Sequence, residues 1–421
     1  MPALALTYPM SEQRLDNGLR VIVAPDPGSP GAAVNLWYQV GSADEPAGRT
    51  GFAHLFEHLM FQGSANVASG EHFALLESAG AIANATTSFE RTNYYETVPP
   101  GALELALWLE ADRMRSLSVT QANLDAQREV VKEEKRQTYD NQPYGDLLEL
   151  LLGQHFANGS SYRHPTIGSM ADLDAATLAD VTQFFATWYR PNNAILTLAG
   201  PIEPEEGFRL AERYFGDIPP HPLPERRRTA DWLPANRLEV TGEVPHDVLY
   251  LSWRGPRIPD PDSETADALL ALLTDGLASR LHRRIIKQGP LADSVGSSSI
   301  PFTDTGSILT ISARVDADQS LEAVEEAILA EIAGLFRRPP DEAELDRTRA
   351  QLERHYLSFL AEIDSRADLI SATATQMGDP AWLTGYLDRL AALTPERILA
   401  AAERWLAADQ ASTMCYRRAT P

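Results

Sequence analysis

Cysteine is almost absent from this sequence. Cys415 is the only one among 421 residues, so the chain cannot form an internal disulfide. This absence is compatible with a cytoplasmic protein and with a periplasmic protein that has no bridges. Long apolar runs are also missing, because none reaches the ~18 residues that a membrane-spanning helix needs. The sequence therefore predicts no membrane span.

Positive charge is scarce as well. There are 36 Lys and Arg residues against 59 Asp and Glu residues, which gives a formal net charge of −23. Nucleic acids and anionic membrane surfaces are therefore not expected as partners. The N-terminal stretch MPALALTYPMSEQRLDNG has no basic segment followed by a long apolar core, so it does not read as a signal peptide. We expect a cytoplasmic protein, with the periplasm as the alternative if a leader has been removed.

The length of the chain predicts at least two domains, since a single core rarely grows this large. The segment from Asp217 to Pro234 is rich in proline, carries a run of arginines and lacks apolar periodicity. Such a composition indicates a linker. We predict an N-terminal domain over 1–217, the linker over 218–235 and a C-terminal domain over 236–421.

The two halves of the sequence resemble each other. Residues 118–137 and 338–357 each predict a long charged helix with an acidic start. Residues 176–200 and 393–417 each predict a helix led by Thr, a Trp near its end, a turn and a strand. The offset near 220 residues indicates a duplication. The mixture of strand runs and helix runs predicts two homologous α+β domains, each a mostly antiparallel sheet with helices on one face.

Two histidines and a glutamate interrupt the apolar segment GFAHLFEHLMFQGS. His54 and His58 are four residues apart, so a helix places both imidazoles on one face. Imidazoles in this arrangement suit zinc, which lowers the pKa of a water molecule to roughly 7. Glu57 borders the same face and can accept the proton of that water. The order H-x-x-E-H is the inverzincin motif, although a buried polar cluster or a structural metal site stays open for the pattern alone.

A zinc site of this kind needs a third protein ligand. Glu129, Glu133 and Glu134 lie on a predicted long helix downstream, and only one of these carboxylates has to face inward. The fourth position would stay open for water, as it does in catalytic zinc sites.

Seven segments of the chain, in the same order, resemble the family of pitrilysin, insulysin and mitochondrial processing peptidase. They are LDNGLRVIVAPD, WYQVGSADEPAGRTGFAHLFEHLMFQGS, AIANATTSFERTNYYETVP, LWLEADRM, REVVKEEKRQ, YRHPTIGS and WYRPNNAILTLAG. The resemblance covers nearly the whole chain and is strongest to the short bacterial and mitochondrial-type branch. It implies two α+β domains that close like a clamshell around a peptide.

The resemblance also implies a zinc endopeptidase with one Zn²⁺ per chain. The ligands it implies are His54, His58 and Glu134, with Glu133 as the fallback for the third. Glu57 is implied as the general base.

Asn84 and Ala85 fall in the family's strand beside the zinc, where an extended peptide substrate adds its backbone to the sheet edge. An ordinary role for Asn84 at a strand turn stays open. His164 and the other histidines are expected to be structural.

Two departures from the family pattern change what we expect of this chain. The family often has a supporting glutamate seven residues before the third ligand, and this position is Gln127, which can still form a hydrogen bond but adds no charge. Active members also carry an arginine and a tyrosine in the second half, in the stretch that reads SRLHRRIIKQGPLADS here. Ile286 and Asp293 stand at these two positions. A missing oxyanion donor typically costs ~10²–10³ in rate, so the single chain is expected to be a poor enzyme.

A division of labour between subunits would explain this combination. The prediction is a zinc-bearing subunit that forms a dimer, preferably a heterodimer with a related zinc-less chain that supplies the arginine and the tyrosine. The alternative is a non-catalytic subunit that binds peptides or forms the structural core of an assembly. The intact motif of His54, Glu57 and His58 favours the enzyme.

Overall fold

The computed structural model describes residues 6–419 of the chain. The first half contains a six-stranded sheet in the order β1-β2-β6-β3-β5-β4, in which only β2 and β6 are parallel. Its strands are β1 Ser11–Arg14, β2 Arg20–Pro25, β3 Ala32–Tyr38, β4 Ile82–Thr87, β5 Thr92–Val98 and β6 Ala194–Gly200. Its helices are α1 Phe52–Leu59, α2 Glu71–Ser78, α3 Leu103–Ser116, α4 Gln121–Lys135, α5 Leu147–His155, α6 Met170–Ala175, α7 Leu178–Trp188 and α8 Pro204–Phe215.

The second half contains a five-stranded sheet in the order β7-β11-β8-β10-β9, in which only β7 and β11 are parallel. Its strands are β7 Arg237–Gly242, β8 Val248–Arg254, β9 Ala292–Ile300, β10 Ile308–Val315 and β11 Ser412–Arg418. Its helices are α9 Ser263–Thr274, α10 Leu321–Arg337, α11 Glu342–Ala361, α12 Ile363–Gln376, α13 Tyr386–Ala391 and α14 Pro395–Trp405.

The two sheets repeat one topology. Without β1, the first sheet has the same strand order as the second and the same single parallel pair. The helices led by Thr also recur, since the hydroxyl of Thr177 caps α7 and that of Thr394 caps α14. This confirms the prediction of an α+β fold with two homologous, mostly antiparallel sheets.

Each half covers one face of its own sheet with its own helices. In the first half, Leu36 and Leu196 of the sheet lie in one core with residues of α1, α3 and α7. In the second half, Leu251 and Ile311 share a core with residues of α9, α10 and α14. Successive residues of a strand point to opposite faces of the sheet. These strands therefore also carry side chains on the face that is turned away from the helices of their own half.

Those opposite faces are covered by helices from the other half. Trp37 and Ile195 on the first sheet pack against α12, including the fully buried Ile370. Tyr250 and Met414 on the second sheet lie in one core with residues of α5. Each half therefore contributes helical side chains to the core of its neighbour, mainly those of α5 and α12.

The predicted linker is a strap that lies against both halves. No helix or strand is present between α8 and β7, apart from a single bridge that pairs Trp232 with Phe156. Arg228 is largely buried and forms salt bridges with Asp44 of the first half and Asp304 of the second. The domain boundaries at 217 and 236 stay a prediction. Within residues 6–419, no helix is long and apolar enough to cross a membrane.

Candidate metal centre

Helix α1 carries His54, Glu57 and His58, and a buried carboxylate holds its first turn. The N-cap is Gly51, which has a φ of +86° and no side chain to accept hydrogen bonds from the helix. Glu45 takes over this role, because its carboxylate accepts hydrogen bonds from the backbone N–H groups of Gly51 at 3.0 Å and Ala53 at 2.7 Å. Burial raises the pKa of Glu45, and the two backbone hydrogen bonds counteract part of this rise.

The third candidate ligand comes from α4, which packs against α1. Glu134 Oε1 lies 3.6 Å from His54 Nε2, and Glu134 Oε2 lies 3.4 Å from His58 Nε2. One ligand atom from each residue falls within 4.8 Å of the other two. Two imidazoles and a carboxylate at this separation suit a zinc ion and leave a further coordination position free.

The other two glutamates on α4 point elsewhere. Glu133 is exposed and accepts hydrogen bonds from Arg136 and Gln137. Glu129 forms a salt bridge with Lys132. The face of α4 that is turned towards α1 thus carries Glu134 to the histidines, while the other two carboxylates stay at the surface.

The electrostatics of the three residues match a site for a cation. Burial and the neighbouring His58 lower the pKa of His54 to about 4, so this imidazole is neutral and free to coordinate. Burial opposes the charged form of His58, but the hydrogen bond with Glu134 and the charge of Glu57 outweigh it and raise the pKa of His58. The hydrogen bond with His58 lowers the pKa of Glu134. Glu134 is therefore an anion at neutral pH.

Glu57 lies beside the three residues but is oriented by β4. It is 9% exposed, and burial raises its pKa. The hydroxyl of Thr87 donates a hydrogen bond to its Oε2 and stabilises the carboxylate form. This arrangement leaves Glu57 Oε1 available to a reacting molecule.

A cavity of about 570 Å³ opens onto these side chains. Its lining includes Asn84 and Ala85 of β4, and Gln127 of α4. β4 is an edge strand of the sheet, so one side of its backbone has no partner strand among the described residues. Ala85 is nearly buried and pairs with Tyr94, while Asn84 pairs with Tyr95 on the opposite face. Gln127 lies on the same cavity as His58 and helps to raise the pKa of this histidine.

The second half has no equivalent of the metal motif. Helix α9, at the place of α1 in the repeat, reads SETADALLALLT and contains no histidine. Ile286 packs against the core of the second half. Asp293 forms a salt bridge with Arg314 at 3.3 Å.

Another group of potential ligands lies in the core of the first half. His72, Glu96 and Glu110 also come within 4.8 Å of one another. The guanidinium of Arg113 pairs with Glu110 and lies 3.8 Å from Glu96. A permanent cation therefore already neutralises this buried group, which distinguishes it from the site on α1.

Sequence reasoning did not identify Glu45 or Thr87. Glu45 could have been sought because a helix that begins at glycine needs an acceptor from elsewhere for its first N–H groups. His164, expected to be structural, is partly buried, and its Nδ1 lies 3.8 Å from Glu45 Oε2. Thr87 gave no signal, because a threonine near the end of a strand is common.

Comparisons with known proteins identify the family of this chain. Residues 20–168 match the model described as insulinase (peptidase family M16), and residues 175–352 match that described as peptidase M16 inactive domain. The chain is 29% identical over 412 residues to the zinc protease PqqE of Helicobacter pylori, with 95% of this chain and 91% of the relative covered. It is 30% identical over 333 residues to an uncharacterized zinc protease of Mycobacterium leprae, with 76% and 73% covered.

A crystal structure of a protease from Helicobacter pylori superimposes with a TM-score of 0.90. The sequence identity is 26%, and 97% of this chain and 99% of that chain are covered. The match to the insulinase model includes the residues from His54 to Glu134, whereas the inactive-domain match begins at residue 175 in the first half and ends at residue 352 in the second. The chain belongs to the M16 (insulinase) family of peptidases.

Proposed function

We propose that this chain is the zinc-bearing subunit of a metalloendopeptidase that hydrolyses peptides or unfolded segments. The observation that carries the proposal is the convergence of His54, His58 and Glu134 beside Glu57 in an open cavity. The names of the relatives, which are zinc proteases, support the same function.

His54, His58 and Glu134 would hold one zinc ion. Bound there, zinc would act as a Lewis acid and lower the pKa of a water molecule towards neutrality. Glu57 is the general base that takes a proton from the attacking water and returns it to the departing amine. Its burial and its hydrogen bond with Thr87 hold the carboxylate in one orientation for both transfers.

The substrate in this proposal is an extended peptide that pairs with β4. An edge strand offers backbone donors and acceptors to such a peptide, while side-chain pockets select among sequences. The backbone of Asn84 and Ala85 provides this edge next to the cavity. Since a folded protein cannot supply a free strand here, unfolded segments are the preferred substrates.

The chain works with a partner subunit in this proposal. Ile286 and Asp293 replace the arginine and tyrosine that the family resemblance led us to expect, and neither the Ile side chain nor the ionised Asp side chain can donate a hydrogen bond to an oxyanion. A related chain that lacks the zinc motif would supply both groups in a heterodimer.

Replacing Glu57 by Gln tests the general base. We expect the variant to retain one zinc per chain and to lose cleavage by about 10²–10⁴-fold, since the amide cannot accept a proton. Metal content is measured by elemental analysis, and cleavage with an internally quenched fluorogenic peptide. Glu133→Gln is the matched control, because this exposed glutamate lies outside the site. Cleavage by Glu57→Gln at the wild-type rate would contradict the role, and a chain without zinc or cleavage would favour the non-catalytic alternative.

Mixing experiments test the need for a partner. We expect the purified chain to cleave slowly alone and about 10²–10³-fold faster with a homologous chain that carries the arginine and tyrosine but no zinc motif. The mass of the mixture in solution should be that of a heterodimer. Full activity of the purified chain alone would contradict this part of the proposal.

A further inference from the structure

A polar network lies beneath β4, on the face of the sheet that is opposite to the metal site. Thr86 and Asn93 are register partners on β4 and β5, and both side chains face α12. Ala85 and Thr87 face the metal side, because successive residues of a strand point to opposite faces. The end of β4 therefore contacts the metal site through Thr87 and the network through Thr86.

Arg91 is the centre of this network. Its Nη1 donates hydrogen bonds to the carbonyl oxygen of Thr86 at 2.9 Å, to the hydroxyl of Thr86 and to Asn93 Oδ1 at 2.9 Å. Its guanidinium also lies over the ring of Trp37, 5.1 Å from the centroid. Three polar contacts and one aromatic face fix the guanidinium, and with it the backbone of Thr86.

The network is anchored in the second half of the molecule. Asn93 Nδ2 donates a hydrogen bond to Asp368 Oδ1 of α12 at 2.8 Å, and Asn35 Nδ2 donates to the same oxygen at 3.4 Å. Arg91 forms no direct salt bridge among residues 6–419, so the amide of Asn93 stands between its charge and that of Asp368. Helix α12 thus lies against the first sheet and supports β4, the strand whose Thr87 donates a hydrogen bond to Glu57.

We infer that Arg91, seated on Asn93 and Asp368, is a positioning residue for the general base. It fixes the end of β4 so that Thr87 meets Glu57 and holds its carboxylate towards the cavity. The inference rests on the proposed function, because it assigns a role in the same reaction. Arg91 does not line the cavity around the metal ligands, and it reaches β4 through its hydrogen bonds with Thr86. Burial raises the pKa of Glu57, and the positive charge of Arg91 counteracts part of this rise.

Replacing Arg91 by Met removes the hydrogen bonds and keeps most of the side-chain volume. We expect kcat for a fluorogenic peptide to fall by about 10- to 100-fold, because a misplacement of 1 Å can cost about 10²-fold in rate. KM should change much less, and the zinc content should stay at one per chain. Arg91→Lys restores a single donor and should recover part of the loss.

Arg226→Met is the matched control. Arg226 also donates to a backbone carbonyl, that of Gln39, and to the side chain of Asn193, and it lies over Trp188. It lies on the strap between the halves and does not line the cavity around Glu57. The control should lose stability without a fall in kcat. An equal fall in kcat for both variants would overturn the inference.

The double variant of Arg91→Met and Thr87→Val tests whether Arg91 acts on Glu57 through Thr87. If Arg91 acts through Thr87, the double variant should lose no more activity than Thr87→Val alone, whereas independent residues would give additive losses. Additive losses would overturn the inference. Thr87→Ser keeps the hydroxyl and should recover part of the activity that Thr87→Val loses.

Crystal structures of the wild type and of Arg91→Met give a readout that does not depend on activity. The hydrogen bond between Thr87 and Glu57 should be present in the first and absent in the second. A bond that persists in the variant would overturn the inference. If the wild type with its partner cleaves no peptide, the proposed function fails, while this comparison still decides whether Arg91 positions Glu57.

Discussion

His155 shows how one buried side chain links stability to pH. It is almost fully buried at the end of α5, with Nε2 2.7 Å from the hydroxyl of Ser252. Burial lowers its pKa from 6.5 to about 4. Between these values the unfolded chain binds a proton at this position and the folded chain does not, so stability falls as the pH is lowered from about 6.5 to 4.

We expect this histidine to cost up to about 3 kcal/mol of unfolding free energy at the acid end of that range. His155→Gln removes the titrating group, so the difference in unfolding free energy between pH 7 and pH 4.5 should be smaller in the variant. Urea unfolding followed by circular dichroism measures it. His221→Gln, at an exposed position, is the control. An unchanged difference in His155→Gln would contradict the expectation.

The first turn of α1 shows how an element depends on its surroundings. Gly51 has a φ of +86°, and a Cβ built on it would lie 2.5 Å from the carbonyl oxygen of Ile167. Gly70 caps α2 with a φ of +83°, but a Cβ there would meet no atom within 4 Å. The two glycines share one backbone conformation and differ in the space around them.

Alanine at Gly70 should cost about 1–2 kcal/mol, which is the cost of the left-handed conformation alone. Alanine at Gly51 should cost more, because the Ile167 carbonyl or α1 has to move. It should also weaken zinc binding, since α1 carries both histidines. Urea unfolding and a zinc titration of the two variants measure these effects. Equal losses of stability, with zinc affinity unchanged, would show that α1 tolerates the shift.

The sequence predicted the two histidines and Glu57 because they lie within one helical turn of each other. It could not choose among Glu129, Glu133 and Glu134, because the rotation of α4 about its axis depends on packing against an element about 70 residues earlier; only the family resemblance selected Glu134. The repeated sheets followed from the duplicated patterns. The exchange of α5 and α12 between the halves could not be predicted, because the apolar face of a helix does not indicate which of the two sheets it covers.

At the scale of the whole molecule, this exchange makes each half incomplete alone. Without α12, the buried face with Trp37 and Ile195 would be open to water. We therefore expect residues 1–235 expressed alone to aggregate or to remain unfolded, and to be recovered when residues 236–421 are co-expressed. The intact chain should unfold in one calorimetric transition. Two separate transitions, or a soluble and cooperatively folded 1–235 fragment, would contradict this expectation.

The buried position of Cys415 has a practical consequence. Its thiol is inaccessible in the middle of β11, and burial raises its pKa to about 12. A maleimide should therefore not react with Cys415 in the folded protein, and it should label a single engineered cysteine selectively. Ile82 lies on β4 and is 75% exposed, so Ile82→Cys would place one fluorophore at the open edge of the first sheet. The arrival of a peptide beside that edge could then be followed in real time, without any bond being cleaved.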